Sequence, residues 1–143
     1  MLLDANLLIY SVDSASPHHR RSAEFLTSVL NGNRRVGIPW QTLGAFLRIS
    51  THPRVSLRPL SPGQAWSFVD RWLSSEVAWI PSPSRATAEI LGGLVSTASV
   101  TANLIPDAQL AALAIEYGLT LYSNDSDFAR FDGLRWENPL QPA

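Results

Sequence analysis

Short apolar runs alternate along the chain with longer stretches in which hydrophobic residues recur every three or four positions. The short runs predict β-strands at residues 1–4, 36–39, 77–80, 119–123 and 134–137. More apolar residues follow the first run, so this first strand could continue through residues 7–9. Prolines, glycines and asparagines between the runs are typical of the ends of strands and helices.

The longer stretches predict amphipathic helices over about residues 17–30, 41–50, 62–75, 84–94 and 106–117. The start of the third helix is well marked, because Ser61, Pro62 and Gln64 match a capping box with proline at the first helical position. Strands that alternate with helices indicate an α/β fold, in which helices flank a central parallel sheet. A length of 143 residues fits one such domain, spanning residues 1–143.

The composition excludes several classes of chemistry. The chain contains no cysteine, which excludes disulfide frameworks, thiolate metal sites and cysteine nucleophiles. It also contains no lysine, which excludes Schiff-base catalysis and the lysine-containing phosphate loop of many nucleotide-binding enzymes. The sequence shows no long apolar span and no signal-peptide pattern. We therefore expect a cytoplasmic protein without membrane contact, with release from the cell as the alternative.

Charge is distributed unevenly along the sequence. Residues 1–60 carry seven arginines and three acids, whereas residues 61–143 carry four arginines and nine acids. This asymmetry suits a protein that binds a polyanion on one face and a metal ion at an acidic site elsewhere. Ordinary solvated charged faces explain the same distribution equally well.

Four aspartates fall where a parallel sheet places its ligand site. Asp4 ends the first predicted strand, Asp107 lies in the first turn of the helix after Pro106, and Asp125 and Asp127 follow the strand at 119–123. Ligands of open α/β sheets bind beyond the carboxyl ends of the strands, so these acids could converge there. Crowded carboxylates repel one another, and Mg²⁺, or alternatively Mn²⁺, is the kind of cation that such oxygen ligands bind.

Each of these acids also has an ordinary structural explanation. Asp107 could serve only to stabilise the start of a helix, and Asp125 and Asp127 could cap the short segment that follows them. Asp4 is harder to explain in this way, because a charge within an apolar strand is unfavourable without a partner. The residues themselves leave both possibilities open for the other three acids.

Three segments resemble motifs of one protein family. Leu-Leu-Asp-Ala-Asn-Leu-Leu-Ile-Tyr at residues 2–10 resembles the opening of PIN-domain nucleases. Residues 102–114 resemble their third acidic motif, and residues 122–131 resemble their fourth. The order and spacing are most similar to VapC-type toxins of bacterial toxin–antitoxin pairs. The resemblance implies a Mg²⁺-dependent endoribonuclease that acts on RNA, is inhibited by a cognate antitoxin protein and forms a homodimer.

The resemblance also implies roles for individual residues. Those matched to catalytic metal-site acids are Asp4, Asp107 and Asp125, with Asp127 as a more variable metal ligand. Those matched to supporting polar positions are Asn6, Asn103 and Ser123. One departure concerns the helix after the second strand, where many members of the family carry a glutamate. This chain has no carboxylate around Ala45, which predicts weaker metal binding.

Two alternatives lead to different functions. The missing glutamate favours a catalytically degenerate PIN fold that acts as a protein-binding module, although the three central acids argue against it. A phosphatase with an aspartyl nucleophile, or a response-regulator domain, is disfavoured because the chain lacks lysine. In such a phosphatase a second aspartate would follow two residues after the first, where this chain has Asn6.

Other side chains carry weaker predictions. Arg48, Arg54 and Arg58 could bind RNA phosphates or face a second copy of the chain. The tryptophans at positions 66, 72 and 79 are predicted to lie in the core or an interface, and not to stack on bases. Near the last motif, an extended backbone would point the side chains of Asp125 and Asp127 to the same side, whereas a helical turn that begins at Ser126 would turn them about 200° apart. The helical pattern of residues 128–131 favours the divergent arrangement.

Overall fold

A parallel sheet forms the centre of the protein in a computed structural model that describes residues 1–97 and 99–142. Its five strands lie in the order β3-β2-β1-β4-β5, and every neighbouring pair is parallel. The strands are β1 (Leu2–Leu3), β2 (Val36–Gly37), β3 (Ala78–Trp79), β4 (Leu121–Tyr122) and β5 (Trp136–Glu137). The five predicted strands and the parallel α/β architecture are thereby confirmed.

Helices connect the strands and cover both faces of the sheet. They are α1 (Ala5–Val12), α2 (His19–Leu30), α3 (Trp40–Ser50), α4 (Pro62–Leu73), α5 (Arg85–Thr97) and α6 (Ile105–Glu116). Two short 3-10 turns, at Ala102–Leu104 and Ser126–Arg130, precede α6 and follow β4. Within the described residues, no helix is both long enough and apolar enough to span a membrane.

Adjacent side chains of β1 point into two separate cores. Leu3 packs with the buried residues of α1 to α4, among them Phe46 and Trp72. Leu2 belongs to the opposite core, which α5 and α6 form together with Leu121 and Phe128. Successive side chains of a strand point to opposite faces, so two neighbouring leucines anchor β1 between the two layers.

The capping box at the start of α4 was predicted correctly. Ser61 Oγ accepts a hydrogen bond from the backbone N–H of Gln64, and the Gln64 side chain accepts one from the backbone N–H of Ser61. Gly118 follows α6 with a φ of 66°, a left-handed conformation that glycine adopts without strain. Gly92 and Gly93 leave α5 continuous from Arg85 to Thr97.

Two boundaries differ from the sequence prediction. The first strand ends at Leu3, and residues 7–9 belong to α1 because Asp4 caps a helix there and Leu7 and Leu8 are buried. A short apolar run fits a buried helix as well as a buried strand, which explains this error. The helix predicted over residues 17–30 is α2, and it begins at His19 and not at Pro17. The preceding residues form a turn in which Ser16 Oγ accepts a hydrogen bond from the backbone N–H of His18.

Candidate metal centre

The acidic residues meet beyond the carboxyl ends of β1 and β4, the two central strands. Asp4 follows β1 and caps α1, Asp107 lies in the first turn of α6, and Asp125 follows β4. Asp107, Asp125 and Asp127 each place a carboxylate oxygen within 4.8 Å of the others. Asp107 at the start of α6 and the two acids of the turn after β4 therefore form one acidic cluster. Asp4 lies outside this group of three but ends β1 at the same edge, where α/β sheets bind their ligands.

Ser123 connects Asp4 to this cluster. Its hydroxyl donates a hydrogen bond of 2.7 Å to Asp4 Oδ2 and accepts one of 3.0 Å from the backbone N–H of Asp125. The other carboxylate oxygen of Asp4 accepts a 2.7 Å hydrogen bond from the backbone N–H of Ala5. Ser123 is fully buried, so its hydroxyl holds the ends of β1 and β4 in a fixed relation.

Asn6 belongs to the same network, whereas Asn103 does not. Asn6 donates a 3.0 Å hydrogen bond from its amide to Ser123 Oγ, and its amide oxygen accepts one of 3.4 Å from the backbone of Asn124. Asn103 is exposed on the 3-10 turn before α6 and makes no side-chain hydrogen bond within residues 1–97 and 99–142. Its supporting role therefore rests on the sequence resemblance alone.

Burial and mutual repulsion raise the pKa values of two of these acids. Burial, and then the charges of Asp125, Asp4 and Asp127, raise the pKa of Asp107 to about 6. Burial is also the main cause that raises the pKa of Asp4, against the hydrogen bonds from Ser123 and Ala5 that lower it. The cluster therefore carries more negative charge than its surroundings compensate, and a bound cation would relieve this repulsion.

The donor set fits a hard divalent cation. All the candidate ligands are carboxylate oxygens, which Mg²⁺ and Mn²⁺ prefer, and the chain has no cysteine to favour a softer metal. Three carboxylates leave further coordination positions for water or for phosphate oxygens, as Mg²⁺ sites commonly do.

Asp125 and Asp127 lie closer together than the sequence predicted. The helical turn does begin at Ser126, but Asp125 precedes it in an extended conformation, and its carboxylate accepts a 2.9 Å hydrogen bond from the backbone N–H of Asp127. The predicted divergence of the two side chains is therefore wrong. Asp127 is the more exposed of the pair and lies 3.4 Å from a guanidinium nitrogen of Arg130.

Helix α3 approaches the centre without contributing an acid. Gln41 donates a 2.6 Å hydrogen bond to the carbonyl oxygen of Pro106, the residue before Asp107. Thr42 donates a 2.7 Å bond to the carbonyl oxygen of Leu3, the residue before Asp4. Residues 40–50 contain no carboxylate, so the structure places none around Ala45. No local sequence pattern indicates the role of Gln41, an exposed polar residue at a helix start.

The remaining sequence candidates lie outside the cluster. Arg48, Arg54 and Arg58 are exposed on α3 and the loop after it, and none forms a salt bridge within the described part of the chain. Trp72 is buried in the core, as predicted, and its ring contacts Phe46 edge-on. Trp66 is exposed on α4, whereas Trp79 is half-buried.

Comparison with known proteins identifies the family. The PIN domain model matches residues 1–134, and the chain belongs to the PIN domain family. Its similarity extends to two curated relatives from Mycobacterium tuberculosis, each aligned over 96% of both chains. Ribonuclease VapC37 is 41% identical to this chain, and Ribonuclease VapC33 is 38% identical. The family resemblance predicted from the three motifs is confirmed.

Solved structures share the fold at lower sequence identity. VapBC2 from Rickettsia felis, solved with a DNA fragment from its promoter, contains a chain with a TM-score of 0.68 and 22% identity, and 96% of each chain is covered. VapBC-1 from Haemophilus influenzae contains one with a TM-score of 0.71 and 18% identity, with 98% of each chain covered. At this level of identity the similarities concern the fold alone.

Proposed function

We propose that this protein is the toxin of a toxin–antitoxin pair and hydrolyses RNA phosphodiester bonds as a Mg²⁺-dependent endoribonuclease. The observation that carries this proposal is the cluster of Asp107, Asp125 and Asp127, whose carboxylate oxygens lie within 4.8 Å of one another. Relatives at 41% and 38% identity bear the name ribonuclease, which favours RNA as the substrate.

The proposed metal ligands are the three clustered acids, together with Asp4. Asp4 is assigned to the same centre because its charge contributes to the raised pKa of Asp107, and because Ser123 ties it to Asp125. When bound, Mg²⁺ lowers the pKa of water and offsets the charge that develops on a reacting phosphate. Mn²⁺ suits the same oxygen ligands.

The chain's own residues position the reaction. Asp4, Asp107 and Asp125 would hold the metal ion, and one of these carboxylates would accept the proton of the attacking water. Ser123 and Asn6 hold Asp4 and the backbone of Asp125 in place. The resemblance to PIN-domain nucleases implies that water attacks phosphorus and that the bond from phosphorus to the 3′-oxygen breaks, so that one product would carry a 5′-phosphate and the other a 3′-hydroxyl.

The proposal includes protein partners. The similar solved structures are VapBC complexes, one of them bound to promoter DNA, which favours a cognate antitoxin for this chain as well. A homodimer and a cytoplasmic location, where RNA substrate and antitoxin would both be present, complete the proposal.

A catalytically degenerate binding module is the second candidate. Its support is the absence of a carboxylate on α3. The acidic cluster counts against it, because a fold retained only for binding has no need to hold three mutually repelling acids together. Direct measurement of RNA cleavage distinguishes the two.

The experiment compares the purified protein with two variants on structured and single-stranded RNA. Asp107→Asn removes one ligand charge, whereas Asp70→Asn changes an exposed acid on α4 and serves as the matched control. We expect Mg²⁺-dependent cleavage by the wild type and by Asp70→Asn, and none by Asp107→Asn or with a chelator present. Absence of cleavage by the wild type on every RNA would instead favour the binding module.

A further inference from the structure

A second concavity lies at the same edge of the sheet as the acidic cluster. It is a pocket of about 320 Å³ beyond the carboxyl ends of β2 and β3, and β2 is the neighbour of β1, the strand that Asp4 follows. Pro39 and Trp40 follow β2, and Pro81 and Pro83 follow β3. Its volume lies at the small end of the range of ligand pockets, about 300–1,000 Å³.

The lining of this pocket combines one aromatic ring, that of Trp40, with uncharged side chains. The Trp40 side chain is 61% exposed, although Pro39 before it is buried. No aspartate, glutamate or arginine lines the pocket within the described residues. Such a surface suits a flat neutral ring, and it differs sharply from the charged cluster beside it, which suits a metal ion and a phosphate.

Two glutamines connect the pocket to the acidic cluster. Gln41 lines the pocket and donates to the carbonyl oxygen of Pro106, next to Asp107, while Gln109 lines it from the first turns of α6. Within residues 1–97 and 99–142, neither the Oε1 of Gln41 nor the amide group of Gln109 has a hydrogen-bond partner. Amide groups can donate and accept at the edge of a nucleobase.

We propose that this pocket binds an unpaired nucleobase of the RNA, adjacent to the phosphate that lies at the acidic cluster. The base stacks on Trp40, and Gln41 and Gln109 hydrogen-bond to its edge. Proteins that recognise RNA sequence commonly bind bases splayed out of loops or single strands in this way. The inference rests on the proposed ribonuclease function and adds a determinant of which RNA is cleaved.

The pocket suits a single base better than a protein partner. Trp40 is the only large hydrophobic side chain lining it that is strongly exposed within the described chain. A stable protein interface buries at least about 1,000 Å² around several such residues. Because such an interface needs several strongly exposed anchors, the single indole ring of Trp40 is a poor anchor for a second copy of the chain or for an antitoxin.

The first test combines protein variants with abasic substrates. Single abasic nucleotides are introduced at each position around the cleavage site of one RNA. We expect one position at which base removal lowers kcat/KM of the wild type about tenfold, the effect of one stacked base. Trp40→Ala should show the same loss on intact RNA and no further loss on that abasic RNA. The matched control is Trp66→Ala, on an exposed tryptophan of α4, which should behave like the wild type.

The second test detects RNA binding at the pocket without RNA cleavage. In an Asp107→Asn background, NMR signals of the Trp40 indole and of the Gln41 and Gln109 amides should shift on addition of the intact RNA, but less with the abasic RNA. If the wild type cleaves RNA but these signals do not shift, the pocket assignment is overturned and the proposed function still holds. The same conclusion follows if Trp40→Ala is fully active. A change of oligomeric state in Trp40→Ala also overturns it, in favour of an interface, whereas an RNA that is neither bound nor cleaved defeats both.

Discussion

The hydroxyl of Ser123 donates a 2.7 Å hydrogen bond to the carboxylate of Asp4, although 119 positions separate the two residues in the sequence. The contact is possible because β1 and β4 are parallel neighbours that end at the same edge of the sheet. Ser123 also accepts from Asn6 and from the backbone of Asp125. One buried hydroxyl thereby sets the geometry of two of the proposed metal ligands.

Ser123→Ala should weaken metal binding by about 10–100-fold, the usual effect of removing a residue that orients metal ligands. The matched control is Ser22→Ala, because Ser22 is equally buried and its hydroxyl donates to the backbone carbonyl of Leu7 without bonding to any of the acids. Both variants lose a buried hydrogen bond, but only Ser123→Ala should change the Mg²⁺ affinity in calorimetric titrations. Equal Mg²⁺ affinity in the two variants would show that Ser123 does not organise the centre.

The metal-free protein should lose stability as the pH rises from about 4 to 6. The pKa of Asp107 is raised in the fold from 3.8 to about 6, so the native state binds more protons than the unfolded state in this range. Ionisation of Asp107 therefore opposes folding, by about 1 kcal/mol once solvent screening of this half-exposed group is considered. Urea unfolding across this pH range measures the effect.

Asp107→Asn should flatten that pH dependence and raise the melting temperature of the metal-free protein at pH 7. Mg²⁺ should stabilise the wild type, because a ligand that binds only the folded state shifts the unfolding equilibrium. Mg²⁺ should raise the melting temperature of Asp107→Asn only slightly. A metal-free variant less stable than the wild type at pH 7 would mean that repulsion within the cluster is not the dominant effect of Asp107.

Asp125→Asn should lower cleavage about 100-fold or more at saturating Mg²⁺, and Asp127→Asn about tenfold or less. Asp125 is less exposed, and its backbone bonds to Ser123, whereas Asp127 is exposed and shares its charge with Arg130. The two side chains lie close together, so each variant serves as the control for the other. A larger loss at Asp127 would reverse their assignment.

Ala45→Glu should increase the Mg²⁺ affinity several-fold by placing a carboxylate on α3. Position 45 lies one helical turn after Gln41, whose side chain reaches the residue before Asp107, so the two positions share a face. Gly44→Glu is the control, because a side chain there meets no atom within 4 Å and points to solvent. If Mg²⁺ titrations show the same increase in affinity for both variants, the increase is due to net charge alone.

The order of elements and the position of the acids were predictable because they depend on local patterns. Apolar runs predicted all five strands, and the acidic motifs placed Asp107 and Asp125 at one site, where their carboxylates do approach each other. The start of α1 was not predictable in this way, since Leu7 and Leu8 are buried whether they belong to a strand or a helix.

The contacts missed by the sequence analysis depend on the packing of distant elements. Gln41 reaches Pro106 only because α3 and α6 begin at the same edge of the sheet, and no local pattern encodes that proximity. For the same reason, no local pattern indicated a role for Trp40. Asp125 and Asp127 lie close together because Asp125 is extended and the turn begins only after it. Helical periodicity in the sequence does not predict the conformation of one such residue.

The most direct test of the central claim is the location of a bound metal ion. A crystal of the protein soaked with Mn²⁺ should give an anomalous scattering peak among the carboxylates of Asp107, Asp125 and Asp127, about 2.0–2.2 Å from their oxygens, near the distances of an octahedral Mg²⁺ site. The same soak of Asp107→Asn crystals should give a much weaker peak or none. A peak elsewhere in the protein, or no peak in a protein that still cleaves RNA, would contradict the assignment of this cluster as the metal centre.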